Sequence, residues 1–212
     1  MNIYVCSLLA VTQFVCAVDP AFEFSLERIS GAFAELGQLS AKKMSPVETI
    51  AISAVMAALV CVTTMLIQVP IPATGGFFNI GDAMIVVAAL IGGPTVGAFA
   101  GGIGASLADL LGGWYVWVIP TLIIKGTEGF LIGWILRRGQ KNIQNVVLAW
   151  MVGGLEMVFG YFLVQIYLYG FSAALVELPL NFVQMAVGGI VGIPASLTIR
   201  KYMKGIFART FS

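Results

Sequence analysis

"GGFFNIGDAMIVVAALIGGPTVGAFAGGIGASLADLLGG", residues 75–113, is built mostly from Ala, Gly, Val, Ile and Leu, yet it carries Asn79 and Asp82 at its front edge and Asp109 at its back. The break at "GGP", residues 92–94, reads as one helix stopping and another starting: Gly suits the end of a helix, and Pro suits the first turn of the next. The stretch therefore predicts two short apolar helices, Gly76–Ile91 and Thr95–Leu111, joined by a tight hairpin. Such a hairpin returns the chain to the side it left, so both polar ends gather on one face.

The rest of the chain shares this character. Apolar residues make up 59% and charged residues 10%, against roughly 45–50% and 25% in a soluble domain. This is the composition of an integral membrane protein. Judged against the ~20 residues a helix needs to cross the hydrocarbon core, four further spans fall at Val47–Val69, Val116–Leu136, Ile143–Tyr169 and Leu178–Ile199. The expected fold is an all-α, six-transmembrane-helix bundle over residues 44–212, with no appended soluble domain. A net charge of +1 and the absence of a basic patch interleaved with aromatics exclude nucleic acid as a partner. Histidine is absent, and the three cysteines, Cys6, Cys16 and Cys61, sit in apolar runs without CxxC spacing. No metal site is expected, and zinc proteases and Ser-His hydrolases are excluded.

Lys and Arg set the orientation. Lys42 and Lys43 precede the first span, Arg137, Arg138 and Lys141 follow the fourth, and Arg200, Lys201, Lys204 and Arg209 follow the sixth. With six spans these places fall on one side, which positive-inside makes cytoplasmic, so both ends of the domain lie in the cytoplasm of a multi-pass plasma-membrane protein. The opposite face receives "QVPIPATGGFFN", "GGWYVW" and "YGFSAALVE", poor in positive charge and rich in interfacial aromatics. Residues 1–43 stand apart as an N-terminal extension. Ile3–Val18 is apolar but short for a span and lacks a basic flank for a signal peptide. Three readings stay open: an extension upstream of a functional start at Met44, a surface or additional membrane helix, and a cleaved signal.

Two kinds of residue carry information inside the spans. Small residues at four-residue spacing, Gly93, Gly97 and Gly101, then Gly188 and Gly192, allow close helix contact in lipid. In the first span Ala54 and Ala58 form a similar smooth face, open to helices of this chain or of another. Ionisable residues cost about 2.5–3.5 kcal/mol at a helix centre and mark ligand or ion paths. Lys125 and Glu128, three apart on one helix face, either neutralise each other or meet a ligand. Glu156 has no partner on its own helix and reads as facing a pocket. Asn181, Gln184 and Gly188 share one face of the last span, offering two amides to a polar heterocycle or to a neighbouring helix. Asn79, Asp82, Asp109, Trp114 and Tyr115 belong to the outer helix ends and loops, where capping is the competing role for the two aspartates. The polar set lies in the outer half, and the inner half is almost pure Ala, Gly, Val, Ile and Leu. That pattern is a cup rather than a pore.

No GxxxxGK[ST] is present, and no carboxylate chain runs from face to face, so the chain carries no energy source of its own. With "AISAVMAALV" in the first span, "NIGDAMIVVAALIGGPTVGAFAGGIGASLADLLGG" across the hairpin, "TLIIKGTEGFLIGW" in the fourth span and "LPLNFVQMAVGGIVG" in the last, residues 44–204 resemble the substrate-binding S components of energy-coupling factor (ECF) vitamin transporters. The resemblance implies a non-enzymatic, high-affinity binding subunit of an ABC importer. Its partners would be a membrane coupling protein (the T component) and two cytoplasmic ATPases, with ATP used there and no cofactor held by this chain. It places Ala54 and Ala58 against the coupling protein and Asn181 on the ligand, with Lys125 and Glu156 as further ligand positions. Together with Asn79, Asp82, Trp114, Glu128 and Gln184 these form the expected substrate-binding set. A flat polar ring suits them: pyridoxine, hydroxymethylpyrimidine or thiamine, with riboflavin open. The competing function is a stand-alone secondary transporter of a small polar solute.

Overall fold

The computed structural model describes residues 45–139 and 143–210; the N-terminal extension and the readings attached to Ile3–Val18 lie outside them. Helix α1, Pro46–Leu66, starts at a capping box: the Ser45 hydroxyl accepts from the Glu48 N–H at 3.2 Å, and the Ser45 N–H donates to the Glu48 carboxylate at 2.7 Å, with Pro46 in the first turn. Reciprocal capping satisfies backbone donors that an apolar environment would leave orphaned.

Beyond α1 the chain forms a short antiparallel hairpin of β1, Gln68–Ile71, and β2, Gly76–Asn79, in the register Gln68↔Asn79 to Ile71↔Gly76. Gly75 turns it with φ 57°. The ribbon is a small addition to a helical fold, and it moves the first two span boundaries: α1 stops at Leu66 rather than Val69, and α2, Asp82–Phe99, starts at Asp82 rather than Gly76. An isolated two-strand ribbon with Pro70 in it carries little period-2 signal, and only an edge position tolerates that proline.

Inside α2, Gly93 takes φ 77° and ψ −164°, a backbone region essentially reserved for glycine. There the chain doubles back. A Cβ on Gly97 would lie 2.9 Å from the Ala89 Cβ, and one on Gly101 would lie 3.2 Å from Ile85 Cγ2. A straight helix separates residues eight apart by about 12 Å. The returning arm runs through a wide-turn π segment, Ala100–Gly104, into α3, Ala105–Gly112, which Gly113 ends with φ 84°. The continuous helical run Asp82–Gly112 is thus an antiparallel hairpin pivoting at the predicted "GGP". Three helices complete the fold: α4, Val118–Arg138; α5, Ile143–Tyr169; and α6, Phe171–Thr210. Helix α6 begins seven residues before the expected Leu178, with Pro179 and Pro194 accommodated inside it.

Five of these helical stretches are long and apolar enough to cross a membrane, the hairpin counting as one of them. The hairpin is also the centre. Two thirds (67%) of its most apolar window is buried, against 33–39% for the others. Val60 of α1 packs on Ile85 and Val96 of the hairpin, and Ile132 of α4 with Ala149 of α5 packs on Val86 and Ala89. Close approach makes this possible. Gly97 and Gly129 face each other so tightly that a Cβ on either would strike the other's carbonyl, Gly101 lies against the Lys125 backbone, and Gly133 lies against Gly93 and Pro94. Where hydrophobicity gives no preference for helix over lipid, such backbone contact supplies the packing that holds helices together.

Candidate functional site

At the end of the molecule where α2 begins, several elements surround one cavity. Its walls include Asn79 of β2, Asp109 of α3, Trp117, Thr121 and Lys125 at the start of α4, Tyr161 of α5, and Glu177, Asn181 and Gln184 of α6. Each residue arrives for a local reason. The β2–α2 turn presents Asn79, whose side-chain carbonyl accepts the Gly81 N–H at 2.9 Å. Glu177, Asn181, Gln184 and Gly188 recur at four, three and four residues, one stripe of a 3.6-residue helix. Gly188 lets α6 approach α2: a Cβ there would lie 2.9 Å from the Asp82 Cβ.

Behind the wall sits a charged knot. Lys125, 2% exposed, donates to Asp82 at 2.5 Å and to Glu128 at 3.1 Å, with Asp82 1% and Glu128 2% exposed. The Gln184 amide donates to the other Asp82 oxygen at 3.2 Å and accepts the Asn79 N–H at 3.1 Å. Asp82 is therefore bound to α4 and α6 through its side chain rather than serving as a helix cap. Lys125 also lies 5.6 Å from the Tyr161 ring centre, within cation–π range. Of the two roles read for Lys125, neutralisation of Glu128 is present, and Asp82 is the shorter of its two bonds.

The outer side is closed by aromatics and by the β-hairpin. The Trp117 indole N–H donates to the Gly75 carbonyl at 3.0 Å, its ring lies 5.8 Å from Tyr161 and 6.1 Å from Tyr169, and Trp114 covers Phe77 at 5.0 Å. Thr74 in the hairpin turn donates to the Glu177 carboxylate, and the Tyr161 hydroxyl donates to Thr121 at 3.0 Å. About 30 Å³ of free space remains inside, room for a water or two.

Two buried side chains in the wall hold unpartnered atoms: Asn181 Nδ2, on a residue 5% exposed, and Asp109 Oδ2, on a residue 3% exposed. Buried polar atoms are nearly always paired, so each of these two has a hydrogen-bonding position left open.

The structure thus brings Asn79, Lys125, Asn181 and Gln184 to the cavity and puts Asp82 and Glu128 directly behind it. Trp114 sits over a wall residue rather than in the wall. Glu156 stands outside the lining, half-buried on α5 with one carboxylate oxygen buried and unbonded. Glu177, Trp117, Thr121 and Tyr161 escaped the sequence reading. The signal for Glu177 was available, since it extends the Asn181–Gln184–Gly188 stripe by one turn. Nothing in the spacing of Thr121 and Tyr161 distinguishes them from ordinary span residues.

A partly open polar cavity among apolar helices fits the class of membrane-embedded proteins that bind small molecules. Over residues 44–201 the chain matches, and belongs to, the ECF-type riboflavin transporter S component family. It is 46% identical over 133 residues to an uncharacterised protein in the gap 3′ region of Pyrococcus woesei, covering 63% of this chain and 88% of that one. It is 33% identical over 146 residues to the thiamine precursor transporter HmpT of Lactococcus lactis subsp. cremoris (strain MG1363), covering 68% of this chain and 83% of that one. The chain is accordingly a multi-pass plasma-membrane protein, the substrate-binding subunit of a transporter for a vitamin or vitamin precursor. The family is one of transporters, not of enzymes.

Proposed function

We propose that this subunit captures a flat, water-soluble vitamin or precursor in the cavity between the α2 start, α4 and α6, and passes it inward only when joined to a membrane coupling protein and two cytoplasmic ATPases. The observation that carries this reading is the cavity itself, where Asn181 and Asp109 keep unpaired atoms beside the locked Lys125–Asp82–Glu128 knot and the rings of Trp117 and Tyr161. Fixed polar groups between aromatic faces orient a small heterocycle. In this reading the chain binds no cofactor, and ATP is consumed by the partners. It crosses the membrane six times, the hairpin supplying two short crossings, with both ends in the cytoplasm and the cavity near the outer face. Asn79, Lys125, Asn181 and Gln184 contact the ligand directly, and Asp82 and Glu128 hold Lys125. Ala54 and Ala58 are exposed on α1, and Ala54 borders an apolar groove of about 600 Å³ shared with Phe99, Gly102 and Phe130. That smooth face suits a coupling protein's helix.

The test is mass spectrometry of small molecules that co-purify with the solubilised protein and with Asn181→Ala. A vitamin or precursor held by the wild type and lost from the variant is the expected result. A protein that arrives empty and binds no member of a vitamin panel overturns the reading.

A further inference from the structure

The family's description names riboflavin and one relative's name a thiamine precursor, and the chemistry of the cavity wall separates the two. We infer that the cavity selects a single flat ring that donates hydrogen bonds at its edge and accepts positive charge, of the aminopyrimidine kind, and that Asp109 is the residue that reads the donating edge. This rests on the importer-subunit reading and narrows its substrate.

The charge inventory comes first. Asp82, Asp109, Glu128 and Glu177 are all buried in or directly behind the wall, and Lys125 is the single cationic side chain among the described residues there. Lys125 is already bound to Asp82 and Glu128, so Asp109 and Glu177 face the cavity without a cation of their own. A guest bearing N–H groups or positive charge supplies the complement. A buried carboxylate left unmatched is strongly disfavoured.

The hydrogen-bonding inventory points the same way. Asp109 Oδ2 is buried and unpaired, and Thr121, which receives the Tyr161 hydroxyl, stands in the same wall. Asn181 Nδ2 is the complementary unpaired donor. An exocyclic amine beside a ring nitrogen presents one donor and one acceptor, the complements of the unpaired Asp109 oxygen and the unpaired Asn181 N–H. The heteroatom edge of a flavin presents mainly acceptors, with a single ring N–H, and sets carbonyl oxygens against carboxylates. Repulsion of that kind is an effective way to discriminate. The rings of Trp117 and Tyr161 favour an electron-poor or cationic partner.

The deciding experiment is calorimetric titration of the full chain in lipid nanodiscs with three probes: 4-amino-5-hydroxymethyl-2-methylpyrimidine, its 4-oxo analogue, and riboflavin. The expected result is that the amino compound binds at least 100-fold tighter than the oxo compound, as sites built for an N–H reject analogues lacking it, and tighter than riboflavin. Asp109→Asn should weaken the amino compound roughly 10- to 100-fold and bring the amino-to-oxo ratio below 10. Riboflavin binding tightest, or amino and oxo compounds binding within threefold, overturns the inference while leaving the importer reading standing. An unchanged ratio in Asp109→Asn overturns the role of Asp109. The wild-type ratio decides the substrate class even if that variant does not fold. Failure of all three probes, and of a wider vitamin panel, overturns the importer reading together with the inference.

Discussion

Lys125 and Asn181 line the same cavity and answer to different physics. Lys125 joins two carboxylates at a site 2% exposed, and removing one member of a buried ion cluster leaves uncompensated charge. Lys125→Met should therefore lower stability by about 3–5 kcal/mol, seen as a large drop in Tm of the detergent-solubilised protein whether or not ligand is present. An unchanged Tm would mean the knot is not a structural unit. The Asn181 amide nitrogen has no partner among the atoms of the described residues, so Asn181→Ala breaks no bond to that atom. It should leave the ligand-free Tm within a degree or two and weaken ligand binding by about 1–3 kcal/mol, measured by titration; a Tm loss matching that of Lys125→Met would assign Asn181 a structural role. Both residues were legible in sequence because polar side chains inside apolar runs stand out. Glu177 was missed although it continues the Asn181–Gln184–Gly188 stripe, because it precedes the expected start of its helix at Leu178 and so read as a loop residue. The Lys125–Asp82 bond joins positions 43 apart, a pairing that helix spacing alone does not reveal, whereas Lys125–Glu128 is three apart and was read directly.

At the scale of elements, the hairpin at Gly93 is where sequence and structure agree most closely, since the turn is enforced by local covalent geometry. Gly93 occupies φ 77°, and a Cβ there would also lie 2.6 Å from Arg137 Nε, so the Arg137 guanidinium covers the turn. Gly93→Ala should cost about 1–3 kcal/mol from the backbone conformation, with the steric conflict added, and appear as a lowered Tm. A neutral result would mean the turn can relocate to Gly92. The glycine steps of the hairpin were equally legible, but their partners, Gly129 and Gly133 of α4, were not. A small-residue stripe states that something approaches closely without saying which helix does. The β1–β2 ribbon and the early start of α6 were missed for related reasons: four-residue strands hold too few residues for a period to show, and Pro179 resembles a helix boundary although it sits inside one. Gly97→Leu should be more damaging than Gly93→Ala, because a side chain there meets the Gly129 backbone, which cannot turn aside as a side chain can. Size-exclusion profiles should show it as loss of the monodisperse species.

For the molecule as a whole, the proposed function puts binding and transport on different surfaces. The cavity draws on β2, on α3–α6 and on Thr64 near the end of α1, whereas Ala54 and Ala58 lie exposed earlier on α1, Ala54 bordering the apolar groove. Mutations more than 7–10 Å apart without shared partners act nearly independently, so the two surfaces should be separable by experiment. Replacing Ala54 and Ala58 together with Trp adds bulk to an exposed face of α1, and it should leave Tm and ligand affinity unchanged within about twofold. If that face receives the coupling protein, the same variant should abolish uptake of labelled ligand by cells expressing all the partners, and should fail to co-purify with them. Uptake at the wild-type rate would put the docking surface elsewhere on the protein. Loss of ligand binding would show instead that α1 packing and the cavity are coupled, and that the division of labour between the two surfaces does not hold.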